Sequence, residues 1–294
     1  MKRVLKQLIA LGLLVGLGAV MAGAASGSDV RGSFTRSFQV GGPVSLEVTN
    51  GSGDIAVRQG GSGSVEVRAK IHVGDRWSEN AEVERRVHAI EANPPLEQNG
   101  NTVRVRKVDE DEHNSHISID YEITVPAETQ LHSETGSGDV IVSGINGPVS
   151  ARTGSGDLKM NGLRADVRAQ TGSGDAKFQE IEAGRLEIET GSGDVELRDV
   201  KCAVVARTGS GDIEAQGQPR DAWRLRTGSG DVTLRVPSEV GFDLDAHTGS
   251  GDVETNGLSI TTEGTFGHGN LRGKVRGGGV PVEVQTSSGD IRID

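Results

Sequence analysis

The sequence predicts an all-β protein: a parallel β-solenoid of ~18–21-residue coils, preceded by an irregular β-rich N-terminal half that carries one short helix. Three observations predict this fold. A five-residue unit recurs through the second half of the chain, and apolar residues alternate with polar ones on both sides of it. Aromatic residues make up only 3% of the 294 residues while 44 are glycine, which suits a thin aliphatic core in an elongated stack.

The recurring unit is Thr-Gly-Ser-Gly-Asp, and successive aspartates are 18, 18, 19, 18, 19 and 21 residues apart. A variant copy ends at Asp290, an early copy ends at Asp54, and an eroded copy is expected at Gly267–Leu271. Repetition at a nearly fixed period is the signature of a solenoid. The seven unchanged copies are Thr135–Asp139, Thr153–Asp157, Thr171–Asp175, Thr190–Asp194, Thr208–Asp212, Thr227–Asp231 and Thr248–Asp252.

The residues around each unit alternate with a period of two, which predicts β-strands. Thr208 and Ile213 are both expected to face inward although they are five residues apart, so Gly-Ser-Gly must hold a bulge or corner. Glycine is expected to supply a positive φ there, and aspartate and serine can bond neighbouring amides. Stacked coils bury aliphatic residues worth ~1.5–3 kcal/mol each, and the general crossover preference favours a right-handed solenoid.

The first 25 residues predict a secretory signal peptide, with a basic start, the apolar run Leu8–Val20 and small residues up to Ala25. The apolar run is short for a bilayer span, which needs about 20 residues, so an uncleaved anchor is the alternative. We therefore expect an exported protein in the periplasm, on the cell surface or outside the cell. After cleavage no membrane association is expected.

Residues 26–130 are predicted to form the β-rich N-terminal part, and residues 131–294 the repeat solenoid. One helix is expected near residues 78–91, with Ser78 as its N-cap and its end before Asn93. Its apolar stripe, Ala81, Val83, Val87 and Ile90, suits a helix that covers the open end of the solenoid, where strand edges need protection. Alternation predicts four strands in this part: Ser45–Val48, Val65–Ile71, Val103–Val108 and Ile117–Val125.

Three features together carry a resemblance to a known family: the Gly-Ser-Gly-Asp array, the segment Ile90–Pro95 with the following Gln98–Asn101, and the segment Tyr121–Ala127. Over roughly residues 34–294 the chain resembles the putative-adhesin β-strand-repeat family of bacterial envelope proteins. The resemblance implies a β-solenoid and an envelope location. The family is a domain of unknown function and supplies no catalytic residues to this sequence.

The repeated aspartates are the first candidates for a functional site. In a stack they would lie roughly 4.8 Å apart, where two charges repel by ~1 kcal/mol in a water-like dielectric. A charge-assisted hydrogen bond to a corner amide returns ~1.5–3 kcal/mol, so the column is predicted to be structural. Arg152, Arg207 and Arg226 are near enough in sequence to help neutralise it.

Calcium is the alternative role for this column. The coil length matches that of a calcium-binding β-roll, but in this sequence aspartate follows glycine directly and the motif occurs once per coil. No metal ligand and no other cofactor is therefore predicted. His113 and His116, after the acidic run Asp109–Glu112, could bind a metal ion, although charge runs are usually solvated loops.

Neither the repeat nor the single cysteine indicates catalysis. A residue repeated in every coil marks a structural requirement, whereas a catalytic site needs one irregular constellation. No Gly-x-Ser-x-Gly elbow is present, so no catalytic residue and no cofactor-binding residue is predicted. Cys202 shares parity with Val204 and is expected to be a buried hydrophobe, with an intermolecular disulfide as the alternative.

The charge of the chain narrows its possible partners. The formal net charge is −11, and removal of residues 1–25 with their three cations makes it −14. Such acidity argues against nucleic acid and anionic lipid as partners. The leading hypothesis is an exported, non-enzymatic structural or adhesin-like protein that binds an envelope polysaccharide or a protein surface through extended faces. The alternatives are an envelope-stress or regulatory scaffold that binds a protein partner, and a carbohydrate-active β-helix enzyme; the oligomeric state stays open.

Overall fold

A computed structural model describes residues 30–74, 80–108, 116–262 and 267–294. In these ranges the chain forms a 12-stranded and a 13-stranded sheet, whose inward residues share one hydrophobic cluster. The predicted all-β solenoid is confirmed. The predicted signal peptide, residues 1–25, and the predicted N-cap Ser78 lie outside the described residues, and the boundary near residue 130 stays a prediction.

Strands are numbered along the chain, and their spatial order within each sheet differs from that numbering. In spatial order the first sheet contains β1 (Val30–Gln39), β4 (Ser64–Val73), β7 (Ile117–Val125), β3 (Ile55–Gln59), β9 (Val140–Ser143), β11 (Leu158–Asn161), β13 (Ala176–Ile181), β15 (Val195–Val200), β17 (Ile213–Gly217), β19 (Val232–Arg235), β25 (Ile291–Ile293) and β21 (Val253–Thr255).

The second sheet, again in spatial order, contains β22 (Ile260–Thr262), β23 (Asn270–Val275), β20 (Phe242–Thr248), β24 (Val280–Ser288), β18 (Trp223–Ser229), β16 (Ala203–Thr208), β14 (Arg185–Thr190), β12 (Val167–Thr171), β10 (Val149–Thr153), β8 (Thr129–Ser137), β2 (Val44–Ser52), β6 (Thr102–Val105) and β5 (Leu96–Asn99). The one helix of the described ranges is α1 (Ala81–Ala92).

Each repeat coil is one strand of the second sheet, the Gly-Ser-Gly-Asp corner, and one strand of the first sheet. Neighbouring coils pair in parallel and in register, so that Thr171 lies beside Thr153 on one side and Thr190 on the other. Thr208 and Ile213 are both buried, while Gly209 and Ser210 between them are both exposed. The two consecutive exposed residues change the parity, which confirms the predicted corner.

The glycines of the corner are needed for a different reason than predicted. A positive φ occurs at the second glycine in only a few copies, such as Gly53 and Gly138, and not at Gly193 or the other central copies. Instead, a Cβ atom at Gly193 would lie 1.9 Å from the carbonyl oxygen of Gly174 in the preceding coil. The expected φ requirement is therefore wrong for these coils. The close approach of neighbouring backbones excludes every side chain larger than hydrogen.

The N-terminal strands agree with the prediction in position. Strand β7 has the predicted bounds, whereas the strand expected at Val103–Val108 ends at Val105. Strand β4 runs antiparallel to both β1 and β7, an arrangement that alternation alone does not specify. The early copy ending at Asp54 stacks directly on the coil of Asp139, since Asn50 is in register with Thr135.

Helix α1 begins at Ala81 rather than near residue 78. Its N-cap is Asn80, whose side-chain oxygen accepts the backbone N–H groups of Glu82 at 2.9 Å and Val83 at 3.4 Å. These bonds satisfy amides that have no partner within the helix, so the chain becomes helical directly after Asn80. The predicted end before Asn93 is confirmed, because Asn93 is the C-cap.

The helix lies against the edge strand of the first sheet, as its predicted covering role requires. Val83, Val87 and Ile90 are buried, but Ala81 is exposed and does not belong to the apolar stripe. Glu91 Oε1 accepts the backbone N–H of Ser33 in β1 at 2.8 Å. With twelve residues and a charged outer surface, α1 does not meet the requirements of a bilayer-spanning helix, and the described ranges contain no other helix.

The C-terminal coils do not stack in the order of the chain. The coil of Asp290 lies between those of Asp231 and Asp252, because β24 pairs in parallel with both β18 and β20. The expected eroded coil at Gly267–Leu271 is wrong: β23 runs antiparallel to β20 and covers the last coil. The corners differ little from coil to coil, so the repeat pattern alone does not determine which coil is next to which.

Replacement of Gly193 by valine tests the contact between corners. The added Cβ would meet the backbone of the preceding coil, and overpacking of this kind costs about 1–3 kcal/mol or more. We expect a lower midpoint in urea denaturation. The matched control is Gly61→Val, because a Cβ atom at Gly61 has no heavy atom within 4 Å. Equal midpoints for the two variants would contradict the steric explanation.

Candidate functional site

The corner aspartates form a continuous hydrogen-bonded ladder along one edge of the stack. Each Oδ1 atom accepts the backbone N–H of the aspartate in the next coil, at distances of 2.8–3.1 Å. This confirms the predicted bond between a corner carboxylate and a corner amide. In stack order the ladder contains Asp54, Asp139, Asp157, Asp175, Asp194, Asp212, Asp231, Asp290 and Asp252.

A residue outside the repeat begins the ladder. Asp120, in β7, accepts the backbone N–H of Asp54 at 2.9 Å through Oδ1. Its Oδ2 atom lies 2.9 Å from Nε2 of His72 in β4. The sequence did not single out Asp120, because β7 contains no copy of the repeat. Its place opposite Asp54 became visible only with the parallel pairing of β3 and β7.

The threonine of each copy forms a second, buried ladder. Its Oγ1 atom donates to the carbonyl oxygen of the second glycine in the preceding coil, at 2.8–3.2 Å. Thr190 Oγ1 also accepts the backbone N–H of Gly193 at 3.2 Å. The hydroxyl is therefore satisfied although it is buried, as buried polar groups must be. At the early copy Asn50 replaces threonine and donates to Gly53 and Ile119 carbonyl oxygens.

The arginines predicted to neutralise the aspartates do not do so. Arg152 donates to Gln170 at 3.1 Å and Arg226 to Glu283 at 2.5 Å, both on the outer face of the second sheet. Arg207 projects from the same face, in register with Arg226. The residue before each threonine points away from the corner, so its charge lies on the other side of the turn.

The cations that contact the ladder come from the first sheet. Lys159 Nζ lies 3.0 Å from Asp139 Oδ2 and 3.2 Å from Asp157 Oδ2. Arg292 makes the same kind of bridge between Asp231 and Asp290. Both residues stand two positions after a corner aspartate and therefore point to the same side as that aspartate. The period-two alternation of the strands could therefore have identified Lys159 and Arg292 from the sequence.

The ladder changes the acidity of Asp157 and of the neighbouring Lys159. The backbone N–H of Asp175 and the nearby Lys159 hold the pKa of Asp157 below its ordinary value of 3.8. The hydrogen bond to Asp139 raises the pKa of Lys159 above its ordinary value. Both shifts favour the charged forms of Asp157 and Lys159. A carboxylate held in this way is a structural acceptor and a poor proton donor.

No catalytic or metal-binding arrangement was predicted, and the described residues show where the candidates lie. Within residues 30–74, 80–108, 116–262 and 267–294, no group of three or more His, Cys, Asp or Glu side chains is placed to hold a metal ion. The acidic run Asp109–Glu112 and His113 lie outside the described residues, whereas His116 is described and half-buried. Calcium binding therefore stays the alternative that the sequence suggested.

Cys202 is buried, as predicted from its parity. Its side chain is 2% exposed, and burial raises the pKa of the thiol to about 11. Its carbonyl oxygen accepts the indole N–H of Trp223 at 2.8 Å. A buried, protonated thiol does not react readily, and the intermolecular disulfide finds no support in this position.

The sequence matches the Toastrack DUF4097 family over residues 45–294. The chain belongs to this family. The match confirms the predicted domain of unknown function and agrees with the solenoid described above. No curated protein matches this Toastrack chain.

Three solved structures are similar to this Toastrack chain. A putative adhesin from Bacteroides fragilis is 12% identical, with a TM-score of 0.44 and coverage of 89% of this chain and 97% of that chain. A putative cell adhesion protein from Clostridium sporogenes is 13% identical, with a TM-score of 0.25 and coverage of 89% and 98%. A putative lipid binding protein from Parabacteroides distasonis is 13% identical, with a TM-score of 0.43 and coverage of 90% and 97%.

Substitution of Thr190 separates the hydrogen bonds of the threonine ladder from its packing. Thr190→Val keeps the shape but leaves the Gly174 carbonyl and the Gly193 N–H without this partner, which costs about 1–3 kcal/mol. Thr190→Ser keeps both bonds and loses one methyl group, worth about 0.8 kcal/mol. We expect urea denaturation to rank the wild type above Thr190→Ser and Thr190→Ser above Thr190→Val. Equal stability of the two variants would contradict the claim that the threonine hydrogen bonds stabilise the stack.

Acid titration tests the charge on Asp157. Because its pKa is lowered in the folded state, the ionised group stabilises the fold above the ordinary value, and this contribution disappears as pH falls through the folded pKa, below 3.8. Asp157→Asn should therefore be less stable than the wild type at neutral pH, with a difference that shrinks in acid. Asp245→Asn, outside the ladder, is the control. A difference that stays constant with pH would contradict the assignment.

Proposed function

We propose that this protein is an exported, non-enzymatic, adhesin-like structural protein of the bacterial envelope. It binds an envelope polymer or a protein surface through the extended outer faces of its two sheets. The observation that carries this proposal is the in-register stacking of the coils, which aligns outward polar side chains in columns about 4.8 Å apart. A long, flat and rigid face of this kind fits an extended partner.

The use of polar groups at the corner supports a non-enzymatic role. The corner carboxylates accept hydrogen bonds from backbone amides, and the corner threonines donate hydrogen bonds to carbonyl oxygens. These groups therefore hold neighbouring coils together. A catalytic residue needs its reactive atom directed at a substrate. Export is supported by the signal-like sequence of residues 1–25.

A second candidate function is binding of a protein partner by the N-terminal half. The C-terminal half of α1, the start of β5 and the segment Arg106–Val108 after β6 line a groove of about 610 Å³. Apolar and cationic side chains line this groove together with Glu97, which is paired with Arg106 at 2.7 Å, and this mixture suits an amphipathic segment of another protein. Its lining includes Ile90, Pro94, Pro95, Leu96, Arg86 and Arg106.

Co-sedimentation with purified cell-wall material tests the first candidate against the second. We expect the wild-type protein to sediment with insoluble wall polymer from which proteins have been removed by protease. Capture of a protein only from whole-envelope extract, without binding to the stripped polymer, would favour the scaffold and contradict the polymer-binding proposal. Incubation with the same polymer, followed by measurement of new reducing ends, checks the non-enzymatic part, and turnover would contradict it.

A further inference from the structure

Five neighbouring strands in the middle of the second sheet present a basic outer face in an otherwise acidic protein. The outward side chains of β10, β12, β14, β16 and β18, which together form the arginine face, include six exposed arginines and only two glutamates, Glu187 and Glu189. The formal charge of the whole chain is −11. The arginines of this face are Arg152, Arg168, Arg185, Arg207, Arg224 and Arg226.

The opposite side of the same coils has the opposite charge. The outward residues of β11, β13, β15, β17 and β19, with the five corner aspartates that precede them, present nine carboxylates and four cations. The positive charge of the arginine face is therefore not a general property of the coils. The two faces of one stack would attract partners of different charge.

One outward apolar residue of the arginine face is covered by its neighbours, although the arginines themselves are exposed. Val205 points outward from β16, between Glu187 and Arg224 in the neighbouring strands, and is nevertheless only 4% exposed. The aliphatic stems of long side chains can cover such a residue while their charged ends stay in water. Arg168 lies 3.5 Å from Glu187, and Arg224 and Arg226 lie 3.4 and 2.5 Å from Glu283 of the adjacent strand β24, so carboxylates of the protein already contact three of the six arginines.

We propose that the arginine face binds a linear polysaccharide that carries carboxylate groups. This inference rests on the proposed function and names the chemistry of the partner. Guanidinium groups bind carboxylates through two parallel hydrogen bonds, and arginine is the cation suited to that geometry. Five strands in register extend the face over roughly 20 Å along the stack, so several arginines can contact successive acidic sugars of one chain.

Nucleic acid fits this face less well than an acidic polysaccharide. Proteins that bind single strands combine cations with exposed aromatic rings, on which the bases stack. Tyr121, Phe178, Trp223 and Phe242 are buried in the core, and the partly buried Phe38 lies in β1 of the other sheet, away from the arginine face. The net negative charge also opposes a polyphosphate at long range, whereas a partner with one carboxylate per sugar carries less charge per unit length.

Calorimetric titration with polygalacturonate tests the proposal, with neutral dextran and a single-stranded DNA oligonucleotide as comparison ligands. The test variant is Arg152→Gln, Arg207→Gln and Arg224→Gln together, which removes three charges from the arginine face. The matched control is Lys177→Gln, Arg198→Gln and Arg235→Gln together, which removes three charges from the outer face of the first sheet. Circular dichroism and urea denaturation would verify that both variants are folded.

We expect the wild type to bind polygalacturonate in low salt and not dextran, with the test variant about tenfold weaker or more and the control within about twofold. Equal weakening by both variants, tighter binding of DNA, or no binding of polygalacturonate would overturn the proposal. Sedimentation with cell-wall polymer is measured on the same three proteins. If the wild type binds cell-wall polymer but not polygalacturonate, only the proposal for the arginine face is wrong. If it binds neither, the proposed function is wrong as well.

Discussion

The close approach of neighbouring backbones at the Gly-Ser-Gly-Asp corner is the contact on which the stack depends. At this spacing the Asp212 amide reaches the Asp194 carboxylate, and the Thr208 hydroxyl reaches the Gly193 carbonyl. A side chain in place of Gly211 would collide with that same carbonyl oxygen, which lies 2.1 Å from its Cβ position. Glycine permits the close approach of neighbouring backbones, and threonine and aspartate form the hydrogen bonds that this approach makes possible. The three residues therefore recur together.

The column of negatively charged corner aspartates is stable because each carboxylate that has a following coil accepts a hydrogen bond from that coil. Two neighbouring carboxylates repel by ~1 kcal/mol in a water-like dielectric, while a hydrogen bond to a charged group contributes ~1.5–3 kcal/mol before screening. Lys159 and Arg292 reduce the repulsion further, since each contacts two carboxylates of neighbouring coils. At the two ends the ladder meets a histidine, His72 beside Asp120 and His268 beside Asp252.

The sequence correctly predicted features that depend on one coil and its immediate neighbour, namely the ends of a strand and the position of the corner. Period-two alternation located β7 with the correct ends, and the five-residue separation of Thr208 and Ile213 located the corner. It did not predict the position of the Asp290 coil between those of Asp231 and Asp252. The corners differ little from coil to coil, so the repeat does not specify the order in which the coils stack. The charge partners were mispredicted for a related reason: nearness in sequence suggested Arg152 and Arg226, but parity directs both away from the ladder and directs Lys159 towards it.

Corner residues and outward residues have different roles in each coil, and only the outward residues can make one part of a face different from another. The corner is nearly the same in every coil and its polar groups hold neighbouring coils together, so it cannot distinguish one part of a partner from another. Outward positions between the corners vary: along one register the second sheet presents Ser150, Arg168, Glu187, Val205 and Arg224. Because these side chains point away from the ladder, the chemistry of the faces can vary while the scaffold stays the same.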